Sequence, residues 1–370
     1  MSERLERKLR VLVVDDSAYM CKVLRDIINS DPQLEVAGQA RDGRDAVALA
    51  ESLSPDVITM DINMPHLDGL QATEMIMAHH PRPIVIVSSD ARSGAANTLR
   101  ALELGAIDFV TKPSSGIDLD MNVVREELTR KLKLAARVRV IRTATRPKLS
   151  PSPSPSSVPA PARSEGQASQ HGSKFPMVVI AASTGGPAAV SRVVERLPKD
   201  LQASVFLVLH MPSAFTKQFV QQLAEVASLP VKEAEMNETA QRGIVYLCPG
   251  SHHLRLSAPG KISLDSGQHI SGYRPCADVT LETVSEFARA SAVGVVLTGM
   301  GHDAAAGVKA VKAAGGWVIA QDEATSMIFG MPAEAIKTGA VDEVLALDEI
   351  SAAIEKRVMK LSPPALAVTR

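Results

Sequence analysis

Three residues whose types suit acyl transfer follow apolar segments in the second half of this 370-residue sequence. Ser183 stands in a Gly-rich turn, His210 ends the apolar run Val205–Leu209, and Asp303 follows another apolar run at Val293–Thr298. A serine, a histidine and an aspartate are the minimal side-chain set for nucleophilic acyl transfer. The sequence therefore indicates esterase-like or amidase-like chemistry at the ends of predicted strands.

Each of these residues also has a structural interpretation. The turn that holds Ser183 offers backbone N–H groups at a helix N-terminus, so the serine is a nucleophile, an N-cap or an anion ligand. His210 alone fits a structural histidine beside a core strand, and Asp303 alone fits the N-cap of a helix over Ala304–Ala314. The order Ser, His, Asp differs from the Ser, Asp, His of α/β-hydrolases, so that family is not indicated.

Other reactive side chains in the second half are weaker candidates. His302 is a rival base, but Asp303 would then lose its orienting role. His252 and His253 follow a Pro-Gly turn without a nearby carboxylate, which argues against a metal site. We interpret Cys276 as a small buried residue rather than as a second nucleophile.

A second set of polar residues terminates predicted strands in the first half of the chain: Asp15, Asp16, Asp61, Ser88 and Lys112. Three carboxylates in one place repel each other unless a hard cation joins them, and oxygen ligands suit Mg²⁺. A metal, a hydroxyl and a lysine around a carboxylate can stabilise a transferring phosphoryl group. The alternative is that each is an isolated turn or cap residue.

Alternating strands and helices must position these residues in the first half. Apolar runs predict strands over Val11–Val14, Leu34–Gln39, Asp56–Met60, Ile84–Ser88 and Phe109–Thr111. Helical spacing predicts helices over Tyr19–Asn29, Gly43–Ser52, Gly69–His79, Ala95–Leu104 and Met121–Val140. Continuous apolar strands separated by helices predict a doubly wound parallel sheet, which binds ligands beyond the carboxyl ends of its strands.

The second half begins with the same alternation. Strands are predicted over Met177–Ala182, Ser204–Leu209, Val293–Thr298 and Trp317–Ala320, and helices over Gly186–Leu197, Ala214–Ala227, Val279–Ala290 and Ala304–Ala314. Three short strands, Ile244–Cys248, His253–Leu256 and Ile262–Leu264, predict an antiparallel insertion. The fold class is therefore α/β with two doubly wound parallel-sheet domains, flavodoxin-like and then Rossmann-like with a short antiparallel hairpin.

Proline marks the joint between the domains. Six of the 23 prolines lie between residues 147 and 161 among serine and alanine, a composition that cannot bury a core. We predict domains at 9–135 and 175–362, joined by a Pro/Ser-rich linker at 142–174.

Composition excludes several classes of partner. Lys+Arg is 40 and Asp+Glu is 41, and aromatic residues are 3%, which argues against nucleic-acid binding and against attraction to a membrane surface. The charged start does not resemble a signal peptide, and no apolar run approaches the ~18 residues of a membrane helix, so we expect no membrane insertion. Three unpaired cysteines fit a reducing, cytoplasmic compartment.

The first domain resembles the two-component receiver domain. The strings that carry the resemblance are Val13-Val14-Asp15-Asp16-Ser17, Met60-Asp61-Ile62-Asn63-Met64-Pro65 with Asp68-Gly69, and Thr111-Lys112-Pro113. The resemblance implies that Asp61 accepts a phosphoryl group from a sensor histidine kinase. It also implies that Asp15, Asp16, Asp61 and the carbonyl of Asn63 hold Mg²⁺, and that Ser88 and Lys112 sense the acyl phosphate.

The second domain resembles the chemotaxis protein-glutamate methylesterase domain. The matching strings are Ser183-Thr184-Gly185-Gly186, Leu209-His210-Met211-Pro212, Cys248-Pro249-Gly250-Ser251-His252-His253, Leu297-Thr298-Gly299-Met300-Gly301-His302-Asp303 and Ile328-Phe329-Gly330-Met331-Pro332. The resemblance implies a cofactor-free Ser183, His210, Asp303 triad, with Thr184 and the Met300 N–H supporting the oxyanion. Two positions depart from the family pattern: Ala304 replaces a usual glycine, and Cys276 replaces a frequent serine.

The resemblance further implies a function. The chain is expected to hydrolyse glutamate methyl esters and to deamidate glutamines on methyl-accepting chemoreceptors, under control of receiver phosphorylation. The receiver could act as a lid over Ser183 that opens when Asp61 carries phosphate. Two alternatives stay open: the same chemistry on a receptor array outside chemotaxis, and a phosphorylation-dependent binding module on a degenerate esterase fold.

Overall fold

A computed structural model describes residues 7–88, 92–112, 118–138, 175–258 and 260–361. The predicted linker at 142–174, Pro113, Val140 and residue 362 lie outside the described residues. The domain boundaries therefore remain predictions. Within the described part of the chain, no helix combines the length and the apolar character needed to cross a membrane.

The first domain is a five-stranded parallel sheet flanked by helices. Its strands are β1 (Leu9–Val14), β2 (Leu34–Ala40), β3 (Val57–Met60), β4 (Ile84–Ser88) and β5 (Asp108–Thr111). Its helices are α1 (Ala18–Ser30), α2 (Gly43–Leu53), α3 (Gly69–His79), α4 (Arg92–Glu103) and α5 (Asp118–Ala135). The spatial order β2-β1-β3-β4-β5 confirms the predicted doubly wound sheet.

Strand periodicity explains why helices cover both faces of this sheet. Leu12 and Val14 belong to the apolar cluster on one face, whereas Val11 and Val13 belong to the cluster on the other. Successive side chains in a strand point to opposite faces, so a continuous apolar run needs an apolar layer on each side.

The second domain contains a seven-stranded parallel sheet and a separate hairpin. Its strands are β6 (Met177–Ala182), β7 (Ser204–Leu209), β8 (Val231–Glu233), β9 (Val245–Leu247), β10 (His253–Ala258), β11 (Lys261–Asp265), β12 (Ala292–Val296), β13 (Trp317–Gln321) and β14 (Glu343–Leu345). The main sheet runs β14-β13-β12-β6-β7-β9-β8, and β10 pairs antiparallel with β11.

Within the described residues, six α-helices pack around this sheet: α6 (Gly186–Glu195), α7 (Ser213–Val226), α8 (Ala277–Ala288), α9 (Ala305–Ala313), α10 (Met331–Lys337) and α11 (Leu347–Leu361). Alternate residues of β6 again enter different clusters, with Val178 and Ile180 on one face and Val179 and Ala181 on the other. The predicted Rossmann-like architecture with an antiparallel hairpin is confirmed.

One predicted strand assignment is wrong. The segment Ile244–Cys248 was expected in the antiparallel insertion, but its core forms β9, which pairs parallel with β7 and β8. Residues Val245–Leu247 are all buried, as in a two-sided parallel sheet. Only β10 and β11 form the hairpin. The long helix expected over Met121–Val140 begins at Asp118 and ends at Ala135.

The two domains share an extended apolar contact. Helix α4 of the first domain packs on α7 and α6 of the second. Phe109 of β5 meets Phe215 of α7 with ring centroids 4.5 Å apart and planes inclined by 42°. One apolar cluster therefore runs through both domains and includes Leu99, Leu102 and Phe219. This contact brings β5 and α5 over the carboxyl ends of strands in the second sheet.

Candidate active site

Three adjacent strands carry the predicted acyl-transfer residues. Ser183 directly follows β6, His210 directly follows β7, and Asp303 stands in the loop after β12. The sheet order places β6 between β12 and β7. The carboxyl ends of parallel strands meet at one edge, so distant positions in the chain converge there.

Gly299 lets the loop after β12 approach the serine. A Cβ atom at this position would lie 2.8 Å from Ser183 Cβ and 2.5 Å from Met331 Sδ, so a side chain does not fit. The backbone is then close enough for the Ser183 N–H to donate to the Thr298 carbonyl at 3.1 Å. Close backbone approach is the reason for glycine here.

The Asp303 carboxylate is buried and receives hydrogen bonds from several elements. His210 Nε2 lies 2.7 Å from Oδ2. The backbone N–H groups of Ala277 and Asp278, in the first turn of α8, donate at 2.7 and 2.9 Å. The Ala304 N–H adds a contact of 3.0 Å. Donors at a helix N-terminus favour the ionised carboxylate.

The ionised state of Asp303 determines the tautomer of His210. Burial acts to raise the pKa of Asp303, but His210 and the backbone donors outweigh it and hold the pKa at about 2. An ionised carboxylate can only accept hydrogen bonds, so His210 Nε2 carries the proton. The other ring nitrogen, Nδ1, is then left as the acceptor and potential base.

Two of the alternative interpretations do not fit the observed geometry. Helix α9 begins at Ala305 with Ala304 at the N-cap, so Asp303 is not the N-cap. His302 is exposed, whereas the His210 side chain is 13% exposed and contacts the carboxylate. Among the described residues, Ser183 Oγ has no hydrogen bond to His210. The structure thus brings His210 and Asp303 together, with Ser183 in the same cleft but not bonded to the imidazole.

Cys276 lies under the same carboxylate. Its side chain is fully buried and its Sγ donates to Asp303 Oδ1 at 3.2 Å. Burial, and then the charge of Asp303, raise the pKa of this thiol to about 12, so it stays protonated at neutral pH. A protonated buried thiol is a donor rather than a nucleophile. The interpretation of Cys276 as a buried small residue agrees with this geometry.

The two histidines after the Pro-Gly turn bind protein groups instead of each other. His252 Nδ1 lies 2.8 Å from Ser251 Oγ, and buried His253 Nε2 lies 3.0 Å from the Gln268 carbonyl. Neither belongs to a cluster of three metal-ligating groups within the described residues.

The first domain contacts both residues that were predicted to support an oxyanion. Thr184 Oγ1 donates to Asp108 Oδ2 at 2.6 Å, and Arg130 Nη1 lies 2.8 Å from Met300 Sδ. The backbone N–H of Met300 donates no hydrogen bond to any described group. Lys131 and the Phe109 N–H also bind Asp108, so this carboxylate is firmly held on the first domain.

The cleft at this edge is lined by both domains. The first domain contributes Leu102, Ala106, Ile107, Asp108 and Phe109. The second contributes Ser183, Gly185, Pro187, Ala188, Leu209, His210, Met211 and Met327. Residues of β5 and of the segment before it therefore form one wall of the cleft that holds Ser183.

The acidic cluster of the first domain assembles as predicted. Ligand atoms of Asp15, Asp16 and Asp61 lie within 4.8 Å of one another, with Asp16 exposed and the other two buried. Lys112 Nζ lies 2.8 Å from an oxygen of Asp15 and 2.8 Å from one of Asp61. Burial raises the pKa of Asp61, and the Asp15 charge adds to this although Lys112 opposes it.

Two further predicted residues flank this cluster. Asn63 is exposed two positions after Asp61. Ser88 is buried at the end of β4, and its Oγ accepts a hydrogen bond of 2.9 Å from Thr98 Oγ1 of α4. An all-oxygen set with one exposed member and a fixed ammonium fits a hydrated Mg²⁺.

Sequence reasoning did not identify Asp108, Arg130 or Tyr273. The first two act across the domain contact, which no local pattern encodes. Tyr273 stacks on His210 with ring centroids 4.4 Å apart, and its only sequence signal is an aromatic residue in a loop of an aromatic-poor chain.

Comparison with known proteins supplies two family matches. A family profile described as the CheB methylesterase matches residues 178–354, and one described as the response regulator receiver domain matches residues 11–124. These two ranges contain the two sites described above.

Individual relatives match nearly the whole chain. A protein-glutamate methylesterase/protein-glutamine glutaminase of Symbiobacterium thermophilum is 44% identical over 97% of this chain and 99% of its own length. A protein of the same name from Pyrococcus horikoshii is 43% identical over 95% of this chain and 94% of its own. The crystal structure of the Thermotoga maritima CheB methylesterase catalytic domain is 40% identical, with a TM-score of 0.48 over 49% of this chain and 98% of that one.

Proposed function

The chain belongs to the protein-glutamate methylesterase/protein-glutamine glutaminase family, and from that premise we propose how its residues carry out and control the reaction. The substrate is a glutamate methyl ester, or a glutamine, on the cytoplasmic domain of a chemoreceptor. The observation that supports this proposal best is the buried His210–Asp303 pair in the cleft that holds Ser183. A degenerate binding module is not favoured, because it would have no use for this pair.

Ser183 is the proposed nucleophile. Its Oγ attacks the side-chain carbonyl of the substrate, and His210 accepts the proton on the nitrogen that does not face Asp303. Asp303 fixes the ring and stabilises the imidazolium. The unbonded N–H of Met300 offers a donor to the oxyanion, with Thr184 beside the nucleophile in support. Methanol or ammonia leaves, and water then releases glutamate from the acyl-enzyme.

One change of side-chain position must precede attack. Ser183 Oγ does not bond His210 in this arrangement, and a rotation about the serine Cα–Cβ bond is the simplest way to make that contact. The absence of the bond accords with a resting state in which the receiver covers the cleft.

Methanol release from membranes that carry radiolabelled methylated chemoreceptors tests the chemistry. Ser183→Ala should lose several orders of magnitude in rate, because the nucleophile is removed. Ser257→Ala, an exposed serine on the β10 strand, is the matched control and should retain the wild-type rate. Retained activity in Ser183→Ala would refute the assignment of the nucleophile.

The receiver site takes the phosphoryl group. Asp61 is the proposed acceptor and a sensor histidine kinase the proposed donor, with Ser88 and Lys112 as the groups that bind the acyl phosphate. Asp15, Asp16, Asp61 and the Asn63 carbonyl would hold Mg²⁺, which supplies charge neutralisation for the phosphoryl oxygens. Labelling by a phosphorylated kinase should need Mg²⁺ and should vanish in Asp61→Asn.

Phosphorylation controls access to Ser183. The contacts from Asp108 to Thr184 and from Arg130 to Met300 lie across the mouth of the cleft, so they support a lid that opens when Asp61 is phosphorylated. A fragment of residues 170–370 should release methanol faster than the unphosphorylated full chain. Equal rates of the two would contradict the lid.

A further inference from the structure

Tyr273 forms a face-to-face stack with the proposed base. The residue stands in the loop between β11 and α8, where its half-buried ring lies parallel to the His210 imidazole. The centroids are 4.4 Å apart and the planes differ by 17°. Asp303 binds the edge of the imidazole and Tyr273 covers one of its faces, so the two contacts restrain different motions of the ring.

The phenol end of Tyr273 is held by the loop that also carries Met300 and Asp303. A Cβ atom built on Gly301, whose φ is +93°, would lie 2.0 Å from Tyr273 Oη. Glycine at this position therefore creates the space that the phenol occupies. His302 meets the same ring edge-on, with centroids 6.1 Å apart. Tyr273 thus spans the distance between the imidazole and the loop beside the nucleophile.

The groups around Tyr273 keep its phenol neutral, whereas the His210 imidazole that it faces becomes positively charged during the reaction. Burial, and then the charge of Asp303, raise the pKa of Tyr273, although Arg130 opposes them. The titratable or charged groups around the imidazole are Asp303 on its edge, Tyr273 on its face, His302 behind the phenol, and Arg130 and Asp108 from the receiver. Among the described residues, the stacking contact with the face of the imidazole comes from Tyr273.

We propose that Tyr273 is a positioning residue for His210, which keeps the imidazole in plane with Asp303 and stabilises its protonated form during attack by Ser183. The electron-rich face of tyrosine attracts a cation within about 6 Å of the ring centroid. The imidazole is neutral before attack and cationic in the transition state, so the stack binds the transition state more tightly than the ground state. The inference rests on the esterase function proposed above.

The test compares full-length variants by methanol release across pH, with and without phosphorylation of Asp61. Tyr273→Leu should lower kcat by roughly three- to tenfold with little change in KM, because the attraction acts mainly on the cation. It should also move the acid limb of the kcat/KM profile to lower pH by about half a unit, because the variant stabilises the protonated base less. Tyr273→Phe keeps the ring and should restore both values.

Two further variants separate stacking from a purely structural role. Tyr19→Leu makes the same replacement at an exposed position of α1 and should leave the pH profile unchanged. A ring-fluorinated phenylalanine at position 273 keeps the shape of the ring but removes its electron-rich face. It should therefore show the lower kcat and the shifted acid limb expected of Tyr273→Leu. This variant keeps the test valid even if the leucine variant folds poorly.

The outcomes distinguish this inference from the esterase function itself. A wild-type chain that releases no methanol would refute the proposed function. An active wild type with a Tyr273→Leu rate equal to it, or with a lower rate and an unmoved acid limb, would overturn only the role of Tyr273. A Tyr273→Phe variant as slow as Tyr273→Leu would also overturn it, because the stack would then not be the important contact.

Discussion

Ala304 has a left-handed backbone conformation that residues other than glycine rarely adopt. Its φ is 82°, and its methyl group is fully buried at the N-cap of α9. Left-handed strain in a non-glycine residue costs roughly 1–3 kcal/mol, whereas burial of one methyl group contributes about 0.8 kcal/mol. Ala304 therefore carries net backbone strain that its buried methyl group only partly offsets.

Ala304→Gly should raise the free energy of unfolding by roughly 0.5–1 kcal/mol, because relief of strain exceeds the lost methyl burial and the added chain entropy. Urea unfolding followed by circular dichroism measures the change. Ala310→Gly, in the interior of α9, is the matched control and should destabilise by about 1 kcal/mol. A destabilised Ala304→Gly chain would show that the left-handed backbone carries no net strain.

Asp303 should make the stability of the catalytic domain sensitive to acid. Its pKa in the folded state is about 2, below the value of about 3.9 in an unfolded chain. A depressed pKa contributes stability that is complete above the unfolded value and is lost as the pH falls through the folded value. This contribution is roughly 2–3 kcal/mol at neutral pH and is lost mostly between about pH 4 and pH 2.

Asp303→Asn should remove the contribution of the ionised carboxylate to the unfolding free energy. The unfolding free energy of the variant should be lower at pH 7 and should fall less steeply between about pH 4 and pH 2. Urea titrations at a series of pH values provide the slopes. Parallel slopes for the variant and the wild type would mean that Asp303 is not the group responsible.

At the scale of elements, the strands were largely predictable and the short or edge elements were not. Continuous apolar runs located β1, β6 and β7 to within two residues, because a strand buried on both faces leaves an uninterrupted signal. The strands β8 and β14 have three residues each and are only partly buried, so they leave no such run. We predicted neither, nor α10 and α11.

The misassigned β9 shows why strand direction is harder to predict than strand position. Its apolar run was correctly located, but three closely spaced short strands separated by turns predicted an antiparallel insertion. Whether a strand pairs with its sequence neighbour or with β7 depends on which surface it buries, and the run alone does not specify this. Ser183 and His210 were predictable for the opposite reason, because each directly follows a strongly apolar strand, and Asp303 stands in the loop after a third one.

Helix α4 links the phosphorylation site to the domain contact. Thr98 is fully buried on α4 and donates to Ser88, while other parts of α4 pack on α6 and α7. If Ser88 must turn towards a phosphoryl group on Asp61, it must break this hydrogen bond. The bond therefore stabilises the resting position of Ser88 relative to the active one.

Thr98→Val should shift the receiver towards its active state by about fivefold, since one buried hydrogen bond contributes about 1 kcal/mol. Methanol release by the full chain, measured at a low level of phosphorylation, should rise accordingly. Thr73→Val makes the same change at a buried α3 hydroxyl that has no hydrogen-bond partner among the described residues, and should leave the rate unchanged. An unchanged or lower rate in Thr98→Val would contradict the coupling.

At the scale of the whole molecule, two kinds of contact join the receiver to the second domain. Apolar packing holds the domains together, and a few polar contacts reach the residues around the nucleophile. The Phe109–Phe215 pair and the shared apolar cluster hold the domains together. Asp108 and Arg130 instead reach residues beside Ser183. The lid over Ser183 was an expectation from the sequence, but the residues that form this contact were not, because a contact between two independently patterned domains leaves no periodicity in either one.

Asp108→Asn should weaken the closed state without damaging the receiver. Its hydrogen bond to Thr184 is buried and charge-assisted, a type that contributes about 1.5–3 kcal/mol, whereas a neutral amide would form a weaker bond. Lys131 loses one carboxylate partner but keeps Glu127 at 2.9 Å. We expect the unphosphorylated full chain to release methanol about tenfold faster. The phosphorylated rate should not change, because Asp108 no longer contacts Thr184 in the open state.

Asp31→Asn provides the matched control for this last prediction. Asp31 also pairs with a lysine of α5, Lys133, at 2.7 Å, but within the described residues it forms no hydrogen bond or ion pair with the second domain. Both variants remove one carboxylate from the receiver, so only the effect of the interdomain bond differs between them. A faster unphosphorylated rate in both would indicate a general loosening of the receiver. A change in neither would mean that the apolar contact alone keeps Ser183 covered.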